Sequence, residues 1–166
     1  MALIGGRLVK RKDMRKGEKT MKIKLDSGAT MPTRAHETDA GLDLYSMEDK
    51  IILPSNICDS VYVDCGETFD TGVHIAFDRG TYGKIESKSG LNVNHSVVSC
   101  GGVIDEGYTG SIKVKLYNFG TKPYPVHAGD KIAQLIVQNY LTPELELVDD
   151  LDDTERGDNG FGSTGK

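Results

Sequence analysis

Residues 102–117 read GVIDEGYTGSIKVKLY, a glycine-rich polar stretch followed by an alternating one. In residues 112–116, Ile, Val and Leu alternate with lysine, which is the period-two pattern of a half-buried β-strand. The glycines before it predict a turn, and this turn holds Asp105 and Tyr108, a carboxylate and an aromatic ring three residues apart. A turn of this composition between two apolar runs indicates a place where a ligand binds.

From residue 21 onward, the chain consists mainly of short apolar runs separated by turn residues, as in residues 102–117. Twenty glycines in 166 residues favour a loop-rich β fold. No segment shows an amphipathic helical stripe, although the sequence leaves room for a short turn of helix around residues 87–93. We therefore predict an all-β fold, a jelly-roll-like barrel or sandwich. The other predicted strands are residues 21–25, 51–53, 61–63, 73–77 and 132–137.

The overall composition describes one globular domain. A chain of 166 residues with 37% hydrophobic and 27% charged residues can bury a core of its own. The net charge of −5 argues against a dedicated nucleic-acid binder, and no apolar run is long enough to span a membrane. No export signal is recognisable, and three cysteines without metal-ligand spacing indicate reduced thiols, so we expect a cytoplasmic location. The four scattered histidines form no metal-binding pattern.

Changes of composition divide the chain into three parts. Residues 1–20 are predicted to form a basic, flexible extension, since residues 7–24 hold nine Lys or Arg and two acids. A basic stretch of this kind can serve as a nucleic-acid tether or a targeting segment. We favour a dispensable extension, with Met21 a plausible alternative start. Residues 21–143 form the predicted β domain. Residues 144–166 begin as an acidic linker and end as a glycine-rich arm.

The arm is the first candidate for phosphate chemistry. Residues 160–166 match most of the pattern G-x-x-x-x-G-K-[ST], but a phosphate-binding loop of that kind needs a following helix, which this arm lacks. Its glycine amides, the hydroxyls of Ser163 and Thr164 and the guanidinium of Arg156 still suit phosphate oxygens. Phe161 can stack on a base. The arm is expected to close over a ligand; the alternative is a disordered glycine-rich terminus.

Three internal segments carry weaker signals of the same kind. In residues 35–44, Asp43 can hold a Mg²⁺-bound water, although an Asp near Gly is usually a turn. Residues 86–91 contain a lysine, two serines and a glycine that can cradle phosphate. Gln134 stands in an apolar run, where period two places it with Ile132 and Ile136. That placement favours a specific polar contact over a solvent-facing position.

Together, five segments in one order resemble the five motifs of the trimeric deoxyuridine triphosphate nucleotidohydrolase (dUTPase) family. They are residues 39–44, 88–91, 102–110, 129–135 and 156–165, and the likeness covers residues 21–166. It implies a jelly-roll-like subunit, a homotrimer with three shared active sites, and Mg²⁺-assisted hydrolysis of dUTP to dUMP and pyrophosphate. Such an activity limits uracil in DNA and supplies dUMP for dTMP synthesis. No nucleic-acid or membrane partner is implied.

The resemblance also implies a role for each motif. Asp105 would orient and deprotonate the water that attacks the α-phosphorus. Tyr108 would pack under the deoxyribose and exclude a 2′-hydroxyl, and Asp43 would hold Mg²⁺ through water. The backbone between Ser99 and Ile104 would pair with the uracil edge. The remaining implied substrate contacts are Lys88, Ser89, Gly90, Gly102, Gln134, Arg156, Phe161, Gly162, Ser163 and Thr164.

Two departures from the family pattern bear on specificity. Lys88 stands where the family commonly has Arg, so a bidentate grip becomes a point charge. Ser99 stands where many members have Asn, so recognition of the base falls to the backbone.

Two rival functions share this scaffold. A dCTP deaminase of this fold would need a glutamate ten residues after Asp105, where this chain has Lys115. A non-catalytic binding module would not need Asp105 and Tyr108, which this chain keeps. The hydrolase is therefore the preferred interpretation.

Overall fold

The computed structural model of the protein describes residues 2–4, 7–9, 20–54, 65–100 and 102–158. Within them the chain is nearly all β-strand. The strands are β1 Ala2–Ile4, β2 Arg7–Val9, β3 Lys22–Leu25, β4 Leu42–Tyr45, β5 Lys50–Ile52, β6 Gly66–Asp70, β7 Val73–Ala76, β8 Thr81–Glu86, β9 Val97–Cys100, β10 Val103–Ile104, β11 Lys113–Asn118, β12 Tyr124–Val126 and β13 Lys131–Asn139. The helix in this part of the chain is α1, Ser89–His95.

Two antiparallel sheets carry most of the fold. The first has the strand order β10-β8-β13-β4, and the second has the order β6-β11-β9. Shorter pairs, β12-β5 and β3-β7, complete the domain. Both sheets contribute to one buried apolar cluster, with Leu44 and Leu135 from the first and Phe69 and Leu116 from the second. Each such side chain contributes about 1.5–3 kcal/mol by burial. The jelly-roll-like prediction is confirmed.

Strand β11 shows how closely a periodic sequence predicts structure. Val114 and Leu116 are 1% exposed and the alternating lysines are more exposed, as predicted. By contrast, β6 (GETFD) and β8 (TYGKIE) were not predicted, because glycine and acidic residues have low strand propensity. β8 is nevertheless a strand because it pairs on one side with β10 and on the other with β13. The predicted strand at residues 61–63 lies outside the described residues.

A bulge in β13 corrects the prediction for its faces. The pairing of β13 with β4 shifts register between Lys131 and Ala133, and Ile132 and Ala133 are both buried. Beyond the shift, Ala133 and Leu135 face the core, so Gln134 lies on the opposite face and not with Ile132. A strict period of two misses the extra residue that a bulge inserts.

The helix and the amino-terminal residues complete the description. Helix α1 lies close to residues 87–93, where the sequence allowed a short turn of helix. Among the described residues, no helix has the length and apolar character needed to cross a membrane. Within residues 1–20, where the sequence predicts a flexible extension, β1 and β2 pair antiparallel with Leu3 opposite Leu8.

Candidate active site

Four of the five motifs meet on the first sheet. Asp43 lies on β4 and Gln134 lies beside it on β13, where the two residues are paired. Lys88 follows the end of β8 as the N-cap of α1, and Asp105 follows β10. Segments that are far apart in sequence are therefore brought to one sheet by strand pairing.

Asp43 is held between two lysines. It is 5% exposed, and its Oδ1 accepts a hydrogen bond from Lys88 Nζ at 2.5 Å. Its Oδ2 forms an ion pair with Lys131 Nζ at 2.7 Å, although the atoms are not aligned as a hydrogen bond. Burial raises the pKa of Asp43, but the contacts with Lys131 and Lys88 outweigh burial and hold that pKa below its usual value. The carboxylate therefore stays ionised and keeps both ammonium groups close together.

Gln134 is predicted to contact substrate; in the structure, its side chain makes a specific polar contact with backbone. Its Nε2 donates to the carbonyl of Ser87 at 3.1 Å. Its Oε1 lies over Gly41, where an added Cβ would be 2.3 Å from that oxygen. The first and fourth motifs thus fit together sterically, and this contact orients the segment that leads to Lys88.

Ser87 also connects this segment to β9. Its Oγ accepts a hydrogen bond from the backbone amide of Ser99 at 2.9 Å and lies 3.1 Å from Ser99 Oγ. The hydroxyl of Ser99, predicted near the base, is therefore engaged with Ser87. Next along the chain, Ser89 and Gly90 open α1, and a helix leaves the amides of its first turn without intrahelical acceptors. These two residues thus present N–H groups beside Lys88.

The turn after β10 holds the predicted catalytic pair. The amide of Tyr108 donates to the carbonyl of Asp105 at 3.0 Å, which closes the turn, and the Asp105 side chain is exposed. The Tyr108 hydroxyl donates to the carbonyl of Ser111 at 2.9 Å. Its ring folds over Gly110, where an added Cβ would lie 2.5 Å from the hydroxyl oxygen. A side chain at position 110 would therefore displace the ring.

An open cavity of about 240 Å³ lies against this turn. It combines the Asp105 carboxylate and the Tyr108 ring with apolar side chains and one ammonium group. Lined in this way, it can accept a flat, partly polar ligand. The lining residues are Val103, Ile104, Asp105, Tyr108 and Lys113.

Glu106 anchors the same turn from the other side. Its Oε2 accepts a hydrogen bond from the amide of Gly80 at 2.6 Å. This bond, together with one from the Tyr140 hydroxyl, holds the pKa of Glu106 below its usual value. The backbone on one side of Asp105 is therefore fixed to the β7–β8 connection.

The two halves of the predicted site lie apart within one chain. Asp105 directly follows Ile104, which pairs with Gly83 near the start of β8. Gln134 pairs with Glu86 at the end of β8. At about 3.3 Å per residue, positions 83 and 86 are separated by about 10 Å, and Asp105 lies further away still. Within one chain, the groups that suit phosphate therefore lie more than about 10 Å along the sheet from the turn that holds Asp105.

The predicted metal site consists of one carboxylate. Among the described residues, no three His, Cys, Asp or Glu side chains are grouped so that they could hold a metal ion. Mg²⁺ keeps several waters and is commonly held by one or two carboxylates together with substrate phosphates. Asp43, which has two lysines as exchangeable partners, fits a cation that arrives with a triphosphate and contacts the protein through water.

Of the fifth motif, the structure describes residues 156–158. Arg156 is exposed and stands in a turn in which the Gly157 amide donates to the carbonyl of Thr154 at 3.1 Å. The other predicted contacts of the arm lie outside the described residues: Phe161, Gly162, Ser163 and Thr164.

Sequence reasoning missed several residues of the site. Lys131 belongs to the fourth motif but was not itself predicted to take part. Ser87 was one of the two serines predicted to cradle phosphate, but its contacts with Ser99 and Gln134 were not foreseen. Lys113 and Glu106 carried no signal, because charged residues beside a turn are usually solvated. Lys115, the residue that disfavours a deaminase, donates from Nζ to the carbonyl of Gly66 at 2.8 Å.

Comparison with known proteins agrees with this geometry. The family model described as dUTPase matches residues 27–165. The deoxyuridine 5'-triphosphate nucleotidohydrolase of Mus musculus is 44% identical over 144 residues, covering 87% of this chain and 83% of that protein. The Corynebacterium glutamicum protein of the same name is 42% identical over 147 residues, covering 87% of this chain and 93% of that protein.

Solved structures show the same likeness. A dUTPase of Staphylococcus bacteriophage 80alpha with dUpNHpp has a TM-score of 0.79 and 28% identity, covering 90% of this chain and 100% of that chain. A dUTPase from phage phi11 of S. aureus, described with a structural Mg(II) ion, has a TM-score of 0.69 and 26% identity over 80% of this chain and 98% of that one. Because one family model spans most of its length and relatives above 40% identity cover it, this chain belongs to the dUTPase family.

Proposed function

We propose that this chain hydrolyses dUTP to dUMP and pyrophosphate, which limits uracil in DNA and supplies dUMP for dTMP synthesis. The observation that carries the proposal is the exposed carboxylate of Asp105 beside the ring of Tyr108 in one open cavity. Because the chain belongs to the dUTPase family, we take dUTP to be the substrate that binds beside Asp105 and Tyr108. Lys115, fixed on a backbone carbonyl, offers no carboxylate for deamination.

Asp105 is the proposed general base. Its carboxylate accepts a proton from water while the water oxygen bonds to the α-phosphorus and the bond from that phosphorus to the leaving pyrophosphate breaks. The turn, closed by the Tyr108 amide and anchored through Glu106, fixes the carboxylate before substrate arrives. Most of the rate gain then comes from positioning.

The phosphate chain is the proposed ligand of the other half of the site. Lys88 and Lys131 supply positive charge, and the α1 amides of Ser89 and Gly90 supply hydrogen-bond donors. When the triphosphate binds, the lysines can exchange part of their contact with Asp43 for phosphate oxygens. Mg²⁺, when bound, neutralises phosphate charge, and Asp43 would hold it through water.

We further propose that the active sites are shared between copies in a homotrimer. The separation of Asp105 from Gln134 within one chain supports this arrangement. The cavity of about 240 Å³ is also small for a nucleotide, since typical small-molecule sites measure about 300–1,000 Å³. One copy would supply Asp105 and Tyr108, and a neighbour would supply Lys88, Ser89 and Gln134. The arm from Arg156 onward would close over the phosphates.

Release of pyrophosphate and ammonia from dUTP, dTTP, UTP and dCTP tests the proposal, each with Mg²⁺ and with EDTA. We expect pyrophosphate from dUTP, dependent on metal, and little from the other three. The variant Asp105→Asn serves as the matched control for contaminating phosphatases. Ammonia from dCTP would favour a deaminase, and no product from any of the four would favour a binding module.

A further inference from the structure

A histidine outside the five motifs bridges the turn of Asp105 and Tyr108 to Asp26, the residue that follows β3. His74 lies on β7, and its Nδ1 is 2.8 Å from the carbonyl oxygen of Thr109. Its Nε2 is 3.0 Å from Oδ2 of Asp26. The ring is largely buried, with a side-chain exposure of 17%. Thr109 directly follows Tyr108, so this contact holds the backbone next to the ring that faces the cavity.

Both partners of the ring can only accept hydrogen bonds. A backbone carbonyl and an ionised carboxylate have no proton to donate, so both ring nitrogens must carry hydrogen for both bonds to form. That state is the imidazolium. A neutral ring has one N–H, so it would direct a lone pair at Thr109 or at Asp26 and lose one of the two bonds.

The charges around His74 favour the imidazolium. The hydrogen bond to Asp26, followed by the bond to the Thr109 carbonyl, raises the pKa of His74 above its usual value and outweighs burial. Lys24, the β3 residue opposite His74, opposes this effect, but it also lies 3.7 Å from Asp26. The bond to His74 lowers the pKa of Asp26, whereas the nearby Asp70 raises it.

We propose that protonated His74 is a positioning residue for dUTP hydrolysis, holding the turn that carries Tyr108 and Asp105 through Thr109. The inference rests on the proposed function, since it concerns the same turn. A group whose pKa is raised by folding stabilises the folded state fully at pH values below its unfolded-state pKa. This contribution is lost as pH rises through the folded-state pKa. The two hydrogen bonds of His74, which we call the His74 clamp, are therefore both present where the ring is protonated and Asp26 is ionised. The clamp weakens as pH rises through the folded-state pKa of His74.

Two substitutions separate the two bonds. In His74→Asn the amide nitrogen falls near the place of Nδ1 and can still donate to Thr109 at every pH. In His74→Gln it falls near the place of Nε2, so it reaches Asp26 but leaves Thr109 unbound. We expect His74→Asn to keep kcat/KM within about threefold of wild type and His74→Gln to lose about tenfold near pH 6, because small displacements of reacting groups are costly.

The pH profile distinguishes positioning from a merely structural role. A neutral His74 ring should keep its single N–H on Nε2, because a hydrogen bond to the ionised Asp26 is stronger than one to a neutral carbonyl, and it would then release Thr109. The ratio of wild-type to His74→Gln kcat/KM should therefore fall toward one as pH rises. His127→Asn is the matched control. Nδ1 of His127 lies 3.6 Å from Oδ2 of Asp130, so this histidine also pairs with an aspartate, but it does not contact Thr109. A ratio that stays constant with pH, or equal losses in His74→Asn and His74→Gln, would overturn the inference.

Amide hydrogen exchange of residues 105–110 gives a readout that does not depend on activity. The three proteins are compared near pH 6, and each rate is corrected for the intrinsic exchange rate of the amide. We expect faster exchange in His74→Gln than in wild type or His74→Asn. Faster exchange in His74→Gln with a wild type that leaves dUTP intact would uphold the clamp and remove the proposed function. Equal exchange in all three proteins would overturn the clamp even if dUTP is hydrolysed.

Discussion

Replacing Gly41 by alanine tests the contact between the first and fourth motifs. The new Cβ would stand 2.3 Å from Gln134 Oε1 and 3.1 Å from its Cβ and Cδ. The φ angle of Gly41 is not in the left-handed region, so alanine brings no backbone strain and the effect is steric. Gln134 must move, and its hydrogen bond to Ser87 is lost.

The expected cost follows from three terms. Overpacking of a filled site costs about 1–3 kcal/mol. The lost hydrogen bond adds about 0.5–1.5 kcal/mol. Alanine also restricts the unfolded chain more than glycine does, which stabilises the folded state by about 0.4–1 kcal/mol. Gly41→Ala should therefore lower the free energy of unfolding by about 0.5–4 kcal/mol. It should also weaken substrate binding, because the segment that carries Lys88 loses its contact with Gln134.

A double-mutant cycle isolates this contact. Urea denaturation at one fixed chain concentration is measured for wild type, Gly41→Ala, Gln134→Ala and the double variant. Gln134→Ala removes Oε1 and Cδ and leaves only a Cβ at 3.1 Å from the new methyl group, so Gly41→Ala should cost clearly less in that background. Equal costs of Gly41→Ala in both backgrounds would refute the steric reasoning.

Three further outcomes follow from the site. Asp105→Asn should bind a non-hydrolysable dUTP analogue within about threefold of wild type while kcat falls by about 10²–10⁴, whereas retained turnover would remove Asp105 as the base. Truncation after Asp153 should leave a folded protein by circular dichroism with turnover about 10- to 100-fold lower, and full activity would exclude a closing arm. Asp43→Asn should cost about 1–3 kcal/mol in urea denaturation near pH 7, because Lys88 and Lys131 lose their shared partner. The folded-state pKa of Asp43 is lowered, so this difference is complete above the unfolded pKa of about 4 and should close as pH falls through the folded pKa; a difference independent of pH would contradict the ion pairing.

The sequence predicted the parts of the fold that depend on local pattern. The alternation in β11 predicted both the strand and its buried face, and the turn residues predicted the position of Asp105 and Tyr108. β8 could not be predicted in this way, since its glycine and charged residues form a strand only through pairing on both sides. The bulge after Lys131 was hidden for the same reason, because register is a property of two strands.

The candidate site shows the same difference between local sequence patterns and contacts that depend on the fold. Motif order singled out Asp43, Lys88 and Gln134 as candidates. It did not predict that Asp43 pairs with both Lys88 and Lys131, or that Gln134 donates to the Ser87 carbonyl. Those contacts join residues about 45 or more positions apart in the chain, and no local pattern encodes them. His74 is the extreme case, since a single histidine in a strand carries no signal until the fold places Thr109 and Asp26 on either side of it.

Mixing two inactive variants tests the shared active site most directly. One variant is Asp105→Asn, and the other is Lys88→Ala combined with Gln134→Ala; the two are co-refolded in equal amounts, with wild type treated identically as the control. If each site takes Asp105 from one copy and the phosphate-binding groups from a neighbour, about one quarter of the sites in random trimers are intact. We predict about a quarter of wild-type dUTP hydrolysis per site. Activity no higher than the sum of the separate variants would contradict the account.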